Sequence, residues 1–369
     1  MKMKKLIALL LAGVLVVSLA ACGSSSSDDT SDDASADTSA EATEDTSSSD
    51  ETYEVLFVAR ASADTFAAWL TSEMQSTADE YDNINLTYVS GEADDDTENS
   101  LLEQAITVGY DLVIVQSNNN AAQAPYVQMV SEAGIPVITT NPTTHQSDLD
   151  GSDDDSVMEG TGTVDADPVE QASVSATCAV DEIPENANVI VLNGPSGNYH
   201  AEKRREAWED VFFSVRDDVT IIGEDYANWN SDEAYELMSD WVNKGVHIDA
   251  IISTNDNMAA GAIEAIRGNS EYFDDDGNPN FLAYGVDGTA QGCLLVQEGV
   301  LTSTALQDAA EIADLCLYYA NEVLQGNMDI TEVNDYVSAP EINADNVDEY
   351  IQVYIDNGEI TSDGELAEE

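Results

Sequence analysis

From residue 53 onward, short apolar runs alternate with stretches whose apolar residues recur every three or four positions. Tyr53–Arg60, Ile84–Val89, Asp111–Gln116 and Ile135–Ile138 read as strands. Asp111–Gln116 (DLVIVQ) is continuously apolar, as in a strand covered on both faces of a sheet. Between them, Asp64–Tyr81 places Phe66, Leu70, Met74 and Ala78 on one helical face. Glu98–Val108 and Ala121–Ala133, the latter closed by Gly134, follow the same rule. After Asn141-Pro142 the pattern loosens, and the Asp- and Ser-rich Gln146–Ser156 reads as a surface loop before a helix over Pro168–Val180. The alternation then resumes with strands at Val189–Leu192, Thr220–Glu224, Asp249–Ser253, Phe281–Val286 and Leu301–Ala305. Helices are expected at Tyr199–Val215, Ser231–Lys244, Asn257–Arg267, Gln291–Glu298 and Asp308–Leu324. A strand-like Asp335–Ser338 and a short helix near Val347–Ile355 complete the chain. Strands alternating with helices, twice over with a break near Asn141, predict an α/β protein of two doubly wound parallel-sheet lobes.

The first 52 residues break this pattern. Three lysines (Lys2, Lys4, Lys5) precede an apolar run ending Leu19-Ala20-Ala21-Cys22, which reads as a signal peptide over residues 1–21 rather than a spanning helix. Leu-Ala-Ala-Cys is similar to the lipobox of bacterial lipoproteins, which implies lipid attachment at Cys22 and anchoring to the cell membrane; the alternative is an ordinary secretory signal. Residues 22–52 are Ser, Asp, Thr, Ala and Glu, and Gly23–Thr52 has no large apolar side chain, so this segment reads as a disordered, self-repelling tether.

Charge narrows the partners. Seventy-four acidic residues against ten basic ones give a net charge of −64, which excludes charge-driven binding to nucleic acid or anionic lipid. Beyond Cys22 the chain holds Cys178, Cys293 and Cys316, an odd number without metal-like spacing. Buried free thiols are expected, with a Cys178–Cys293 pair as the alternative. Nothing resembles a nucleophile elbow, a metal pair or a phosphate loop, so no enzyme, cofactor or metal site is expected.

Ligands of doubly wound sheets sit at the carboxyl ends of the strands. The polar residues there include Asp64, Gln116–Asn120, Asn141, Asn198 and His200 with Arg204, Asn255–Asp256, Asp287 and Gln307. Val189–Trp208 is the most informative stretch: an apolar strand, a turn with Gly194 and Gly197, then a helix whose buried stripe carries Arg204. An arginine on a buried stripe needs a partner, either an internal carboxylate or a polar ligand. Trp69, Trp208 and Trp241 fall at helical spacing and read as core, whereas Trp229 stands in a loop and reads as a ligand contact. Asp256 reads as a helix N-cap, with Asn255 left to the ligand. Amides, acids and arginine suit vicinal hydroxyls, and flat rings such as Phe66 and Trp229 suit the C–H faces of a sugar.

These residues resemble the type I periplasmic sugar-binding proteins of the ribose/galactose type, with the glucose/galactose binders nearest. The likeness runs from Tyr53 to about Ile355. It rests on Asp64-Thr65-Phe66, Ala133-Gly134-Ile135-Pro136-Val137, the spacing from Gly194 to Arg204, Ala227-Asn228-Trp229, Asn255-Asp256-Asn257-Met258-Ala259, Gly285-Val286-Asp287 and Gln307. The resemblance implies two lobes joined by three crossovers: residues 53–141 plus 306–332, and 142–305 plus 333–369. It implies a monomeric, extracytoplasmic protein that delivers a monosaccharide, a hexose favoured, to an ABC transporter permease, or alternatively a sugar sensor serving a chemoreceptor or histidine kinase. The implied ligand contacts are Asp64, Phe66, Gln116, Asn198, His200, Arg204, Trp229, Asn255, Asp287 and Gln307. Asn198 and His200 depart from the hexose binders, where a histidine and an aspartate stand, and no calcium loop is evident in Ser147–Asp155.

Overall fold

The computed structural model describes residues 52–367; the expected signal peptide, Cys22 and all but the last residue of the tether lie outside them. In chain order the first elements are β1 (Tyr53–Ala59), α1 (Thr65–Ala78), β2 (Ile84–Ser90), α2 (Asp95–Val108), β3 (Leu112–Val115), α3 (Asn120–Glu132) and β4 (Val137–Thr139). Then come α4 (Gln146–Asp150), β5 (Gly162–Ala166), α5 (Pro168–Glu182), β6 (Asn188–Asn193) and α6 (Tyr199–Trp208), which runs into a π-helical turn at Glu209–Phe213. The remainder is β7 (Thr220–Tyr226), α7 (Ser231–Val242), β8 (Ala250–Ser253), α8 (Asp256–Ile266), β9 (Leu282–Tyr284), α9 (Ala290–Glu298), β10 (Ser303–Ala305), α10 (Ala309–Leu324), β11 (Asn334–Val337), β12 (Glu341–Asn343) and α11 (Val347–Asn357).

Two six-stranded sheets result, ordered β11-β5-β4-β3-β1-β2 and β12-β10-β9-β8-β6-β7. All pairings are parallel except that of β10 with β12. Each sheet therefore contains the doubly wound order 2-1-3-4-5, whose direction reverses between β1 and β3 in one lobe and between β6 and β8 in the other. Period-two alternation explains the layers. In β1, Val55, Phe57 and Ala59 pack with α1 and α10, whereas Leu56 and Val58 pack with α2 and α3. Burying each large aliphatic side chain of this kind contributes about 1.5–3 kcal/mol. The second sheet is covered by α7, α8, α9 and α11 on one side and by α5 and α6 on the other.

The lobe boundaries differ from those expected. Residue 142 does not begin the second lobe: β5 pairs with β4, so the first crossing follows Ala166. Residue 333 does not either, because β11 pairs with β5 in register Asn334↔Thr163, and the last crossing is the segment between β11 and β12. The sequence GTVDA hides its strand because Thr163 and Asp165, both buried, interrupt any apolar run. The middle crossing lies between β10 and α10, where Gln307 N donates to Asp287 O and Leu306 N donates to Pro340 O. Cys178, Cys293 and Cys316 are all free thiols, so the alternative disulfide does not form. No helix among the described residues is long and apolar enough to cross a membrane.

Candidate functional site

Between the carboxyl ends of the two sheets lies a small polar cavity. The first lobe contributes Arg60, Asp64, Phe66 and Asn141, and the second contributes His200, Arg204, Trp229, Asn255 and Asp287, with Gln307 at the hinge. Eight of the ten expected site residues are thus brought together there. Gln116 and Asn198 are not. Gln116 lies behind the first wall, accepting from Arg60 N at 3.1 Å and donating to Asn141 Oδ1 at 2.9 Å. Asn198 caps α6 and reaches across the cleft, donating to Ser117 O and Asn118 O at 3.4 and 3.1 Å. Its amide is consumed by joining the lobes.

Arg60 and Asn141 complete the first wall. Arg60 donates to Asp64 Oδ2 through Nε and Nη2 at 3.1 and 2.6 Å, and through Nη1 to Asn141 O at 3.2 Å. Asp64 is also the N-cap of α1, accepting from Ala67 N at 3.0 Å. The sequence treated Arg60 as the last residue of a strand. Its signal was the i, i+4 spacing to an acid that caps the following helix. Asn141 stood among the polar strand ends but was not chosen.

Arg204 resolves its two sequence-level alternatives in favour of internal partners. Nε and Nη2 both donate to Gln171 Oε1, Nη2 to Gln307 Oε1 and Nη1 to Thr254 O, all at 2.8–3.0 Å. Nη1 also pairs with Asp287 Oδ1 at 3.2 Å. The guanidinium, buried and 5.7 Å over the Trp229 ring, frames the cavity and spends its donors on the protein.

What remains unpaired is a short set. Asn255, and not Asp256, caps α8: its Oδ1 accepts from Met258 N, and its amide NH2 has no partner among the described residues. Asp256 instead accepts from Thr289 and Thr304 beneath the site, and burial raises its carboxyl to about 6. Gln307 accepts from Gln171 and Arg204 through Oε1, which leaves its NH2 free as well. Among the described residues, the Asp287 carboxylate is partnered by Arg204 alone. Its backbone is held at φ 116° by bonds to the hinge, a left-handed conformation that an aspartate adopts only under constraint. Burial raises its carboxyl well above the usual carboxylate range; Arg204 opposes this, while Asp256 and Asp64 add to it. Two amide donors and one carboxylate acceptor thus face the cavity.

The aromatic walls are set differently. Phe66 is part of the first lobe's core and presents one part of its ring to the cavity. Trp229 follows Asn228 in two successive left-handed residues, φ 50° and 60°, and Asn257 Nδ2 ties its carbonyl at 2.7 Å. Gly194 is needed at the turn after β6 because a Cβ there would lie 2.3 Å from the indole. Trp69, expected in the core, instead meets Tyr354 of the other lobe edge-on with ring centres 5.8 Å apart.

His200 spans the cleft. Its Nε2 lies 3.0 Å from Asp165 Oδ2 and its Nδ1 lies 3.2 Å from Asn141 Nδ2. Burial holds the imidazole below its ordinary pKa, and Asp165 opposes this. For Asp165 burial acts against ionisation, but His200 and the backbone N–H groups of Thr143 and Ala166 outweigh it and hold the carboxyl low. Burial thus favours the neutral imidazole and the His200 contact favours the ionised carboxylate.

Residues 55–328 match the family model described as periplasmic binding protein domain. The chain belongs to this family. The xylitol-binding protein of Mycolicibacterium smegmatis is 28% identical over 271 residues, covering 73% of this chain and 72% of that one. The ribose import binding protein of Bacillus subtilis is 21% identical over 68% of this chain and 74% of its own. An ABC transporter solute-binding protein from Bacillus halodurans, solved with bound myo-inositol, shares the fold with a TM-score of 0.71 at 23% identity, covering 83% of this chain and all of the other. The family binds solutes and does not catalyse reactions, and this binding protein is accordingly not an enzyme.

Proposed function

We propose that this protein captures one small neutral polyhydroxy molecule outside the cytoplasm, a monosaccharide or sugar alcohol, and delivers it to an ABC transporter permease. The observation that carries this reading is the pair of amide NH2 groups of Asn255 and Gln307, without partners among the described residues, beside the Arg204-paired Asp287 carboxylate in a cavity that Phe66 and Trp229 also line. A carboxylate beside two amides takes hydroxyl protons and gives N–H donors to hydroxyl oxygens, which is the complement of a polyol. Both arginines are already matched, Arg60 to Asp64 and Arg204 to Asp287, so the site offers no spare positive charge to an acidic ligand. The relatives named for xylitol and ribose support the same class. Hexose, pentose and alditol are separated by experiment. Attachment to the membrane through Cys22 follows from the Leu19–Cys22 motif and belongs to this proposal.

The test is titration calorimetry with D-glucose, D-galactose, D-ribose, D-allose, xylitol and myo-inositol, with D-gluconate as the charged control. At least one neutral compound is expected to bind at micromolar Kd or tighter, with a negative heat-capacity change from the rings it covers. Gluconate is expected to bind at least tenfold more weakly than the neutral compound closest to it. Failure of every neutral compound, or a preference for gluconate, refutes the reading.

A further inference from the structure

Gln116, Asn141, His200 and Asp165 form a chain of hydrogen bonds whose direction is fixed at one end. Arg60 N can only donate, so Gln116 Oε1 accepts from it and Gln116 Nε2 must donate to Asn141 Oδ1. Asn141 Oδ1 is thereby an acceptor, and Arg60 Nη1 points at the same atom. The other end of that amide, Nδ2, faces His200 Nδ1 and donates to it. Nδ1 therefore carries a lone pair, and the imidazole proton sits on Nε2, aimed at Asp165. Asp165 is fixed in turn by Thr143 N and Oγ1 at 2.7 and 3.0 Å. His200 and Asp165 belong to different lobes, so this last bond joins them across the cleft.

We propose that Gln116 and Asn141 are positioning residues which hold His200 as the neutral Nε2–H tautomer, and that the His200–Asp165 bond so formed latches the two lobes together. Adding a proton to His200 sets Nδ1–H against the Asn141 amide, two donors face to face. The latch then opposes closure. The charged groups facing the ring are Asp165 on β5, Arg204 one turn along α6 and Arg60 at the end of β1, and Tyr336 of β11 lies close to Asp165. Burial and both arginines favour the neutral ring; Asp165 alone opposes them.

The sign follows from linkage. In an open cleft His200 is solvated and takes its proton near pH 6.5; closure depresses that value, so shutting the trap expels a proton at lower pH. Closure is therefore unhindered above about pH 6.5, and affinity falls by up to tenfold per unit as pH drops below it. Asp287 at the cavity and Asp256 beneath it, whose carboxyls are raised, titrate as well. Comparison with Asn141→Asp isolates the histidine. An aspartate at 141 accepts from Gln116 and Arg60 with one oxygen and turns the other to His200 Nδ1, which then must carry a proton. In that variant the closed form takes up a proton, and affinity is expected to rise, not fall, toward lower pH.

The consequence for affinity rests on the proposed function, but the tautomer does not. Closed protein is obtained in two ways: by saturation with whichever of the six neutral compounds binds most tightly, and by a disulfide in Asn119→Cys/Gly197→Cys. A Cβ at Gly197 meets the end of the Asn119 side chain at 3.0–3.1 Å across the cleft, and Gly197 has φ 86°, so formation of the cross-link is verified by mass spectrometry before use. Long-range 1H–15N spectra of 15N-histidine protein, assigned with His200→Gln, read the ring. At pH 7 the closed protein is expected to show His200 as the Nε2–H tautomer, and Asn141→Asp to show Nδ1 protonated. If none of the six neutral compounds binds while the cross-linked protein shows this tautomer, the ligand reading fails and the latch stands. An Nδ1–H ring or an imidazolium in closed wild-type protein at pH 7, or an unchanged ring in Asn141→Asp, overturns the latch.

Discussion

Arg204 and Asp287 face one another at 3.2 Å, yet their roles diverge. Arg204 ties Gln171, Gln307 and Thr254 into one frame, so its loss is felt first in the fold. Arg204→Lys leaves several buried acceptors unmet and is expected to cost about 3–5 kcal/mol of stability, read by denaturant unfolding. Asp287→Asn keeps the shape but removes both the charged acceptor offered to a ligand and the ion-pair partner of the buried Arg204. It is expected to weaken polyol binding by about 1.5–3 kcal/mol, roughly ten- to a hundredfold in Kd, and to lower stability as well. The residue types at the strand ends were legible in the sequence; their allocation was not. Whether an amide meets a ligand or a neighbour depends on which of its atoms are already taken, and spacing along a chain does not count hydrogen bonds. Gln116 and Asn198 illustrate this: both have the chemistry expected of ligand contacts, and both direct it to the protein.

Among the elements, those with an apolar face announced themselves. β1, β3 and β8 are buried throughout or nearly so, and α1, α8 and α10 carry the stripes their periodicity predicted. β5 and β12 did not, because polar residues occupy buried positions in the first and the second is only three residues long. The crossover at Ala166 depended on β5, and the lobe boundary was misplaced for that reason. The turn between β6 and α6 was legible, since its glycines are required by contacts. Gly194→Ala places a methyl group where the Trp229 indole lies, so the ring or the turn must move. That variant is expected to stay folded, to shift tryptophan emission, and to lose at least tenfold in polyol affinity. Unchanged emission and affinity would show that the ring is not held against this turn.

At the scale of the molecule, the two sheets are joined by three crossings and by a polar seam in which His200, Asn198 and Tyr199 of one lobe bond to Asp165, Ser117, Asn118 and Asn120 of the other. The ring contacts across the lobes are Trp69 against Tyr354 and His145 stacked on Tyr199. A seam built from hydrogen bonds exchanges readily with water, so a ligand need add only a few kcal/mol of differential contact to tip the balance toward closure. The two-lobed α/β plan was readable from the repeated strand–helix alternation, whereas the seam was not, because it is made of loop residues whose partners lie in another lobe. The central claim is that a neutral polyol occupies the space between Phe66 and Trp229 and takes its hydrogen bonds from Asp287, Asn255 and Gln307. A crystal structure with the tightest-binding polyol tests it most directly. The account predicts ligand density in that space, with hydroxyls within 3.2 Å of all three groups; density elsewhere, or a ligand whose hydroxyls leave all three unpaired, would contradict it.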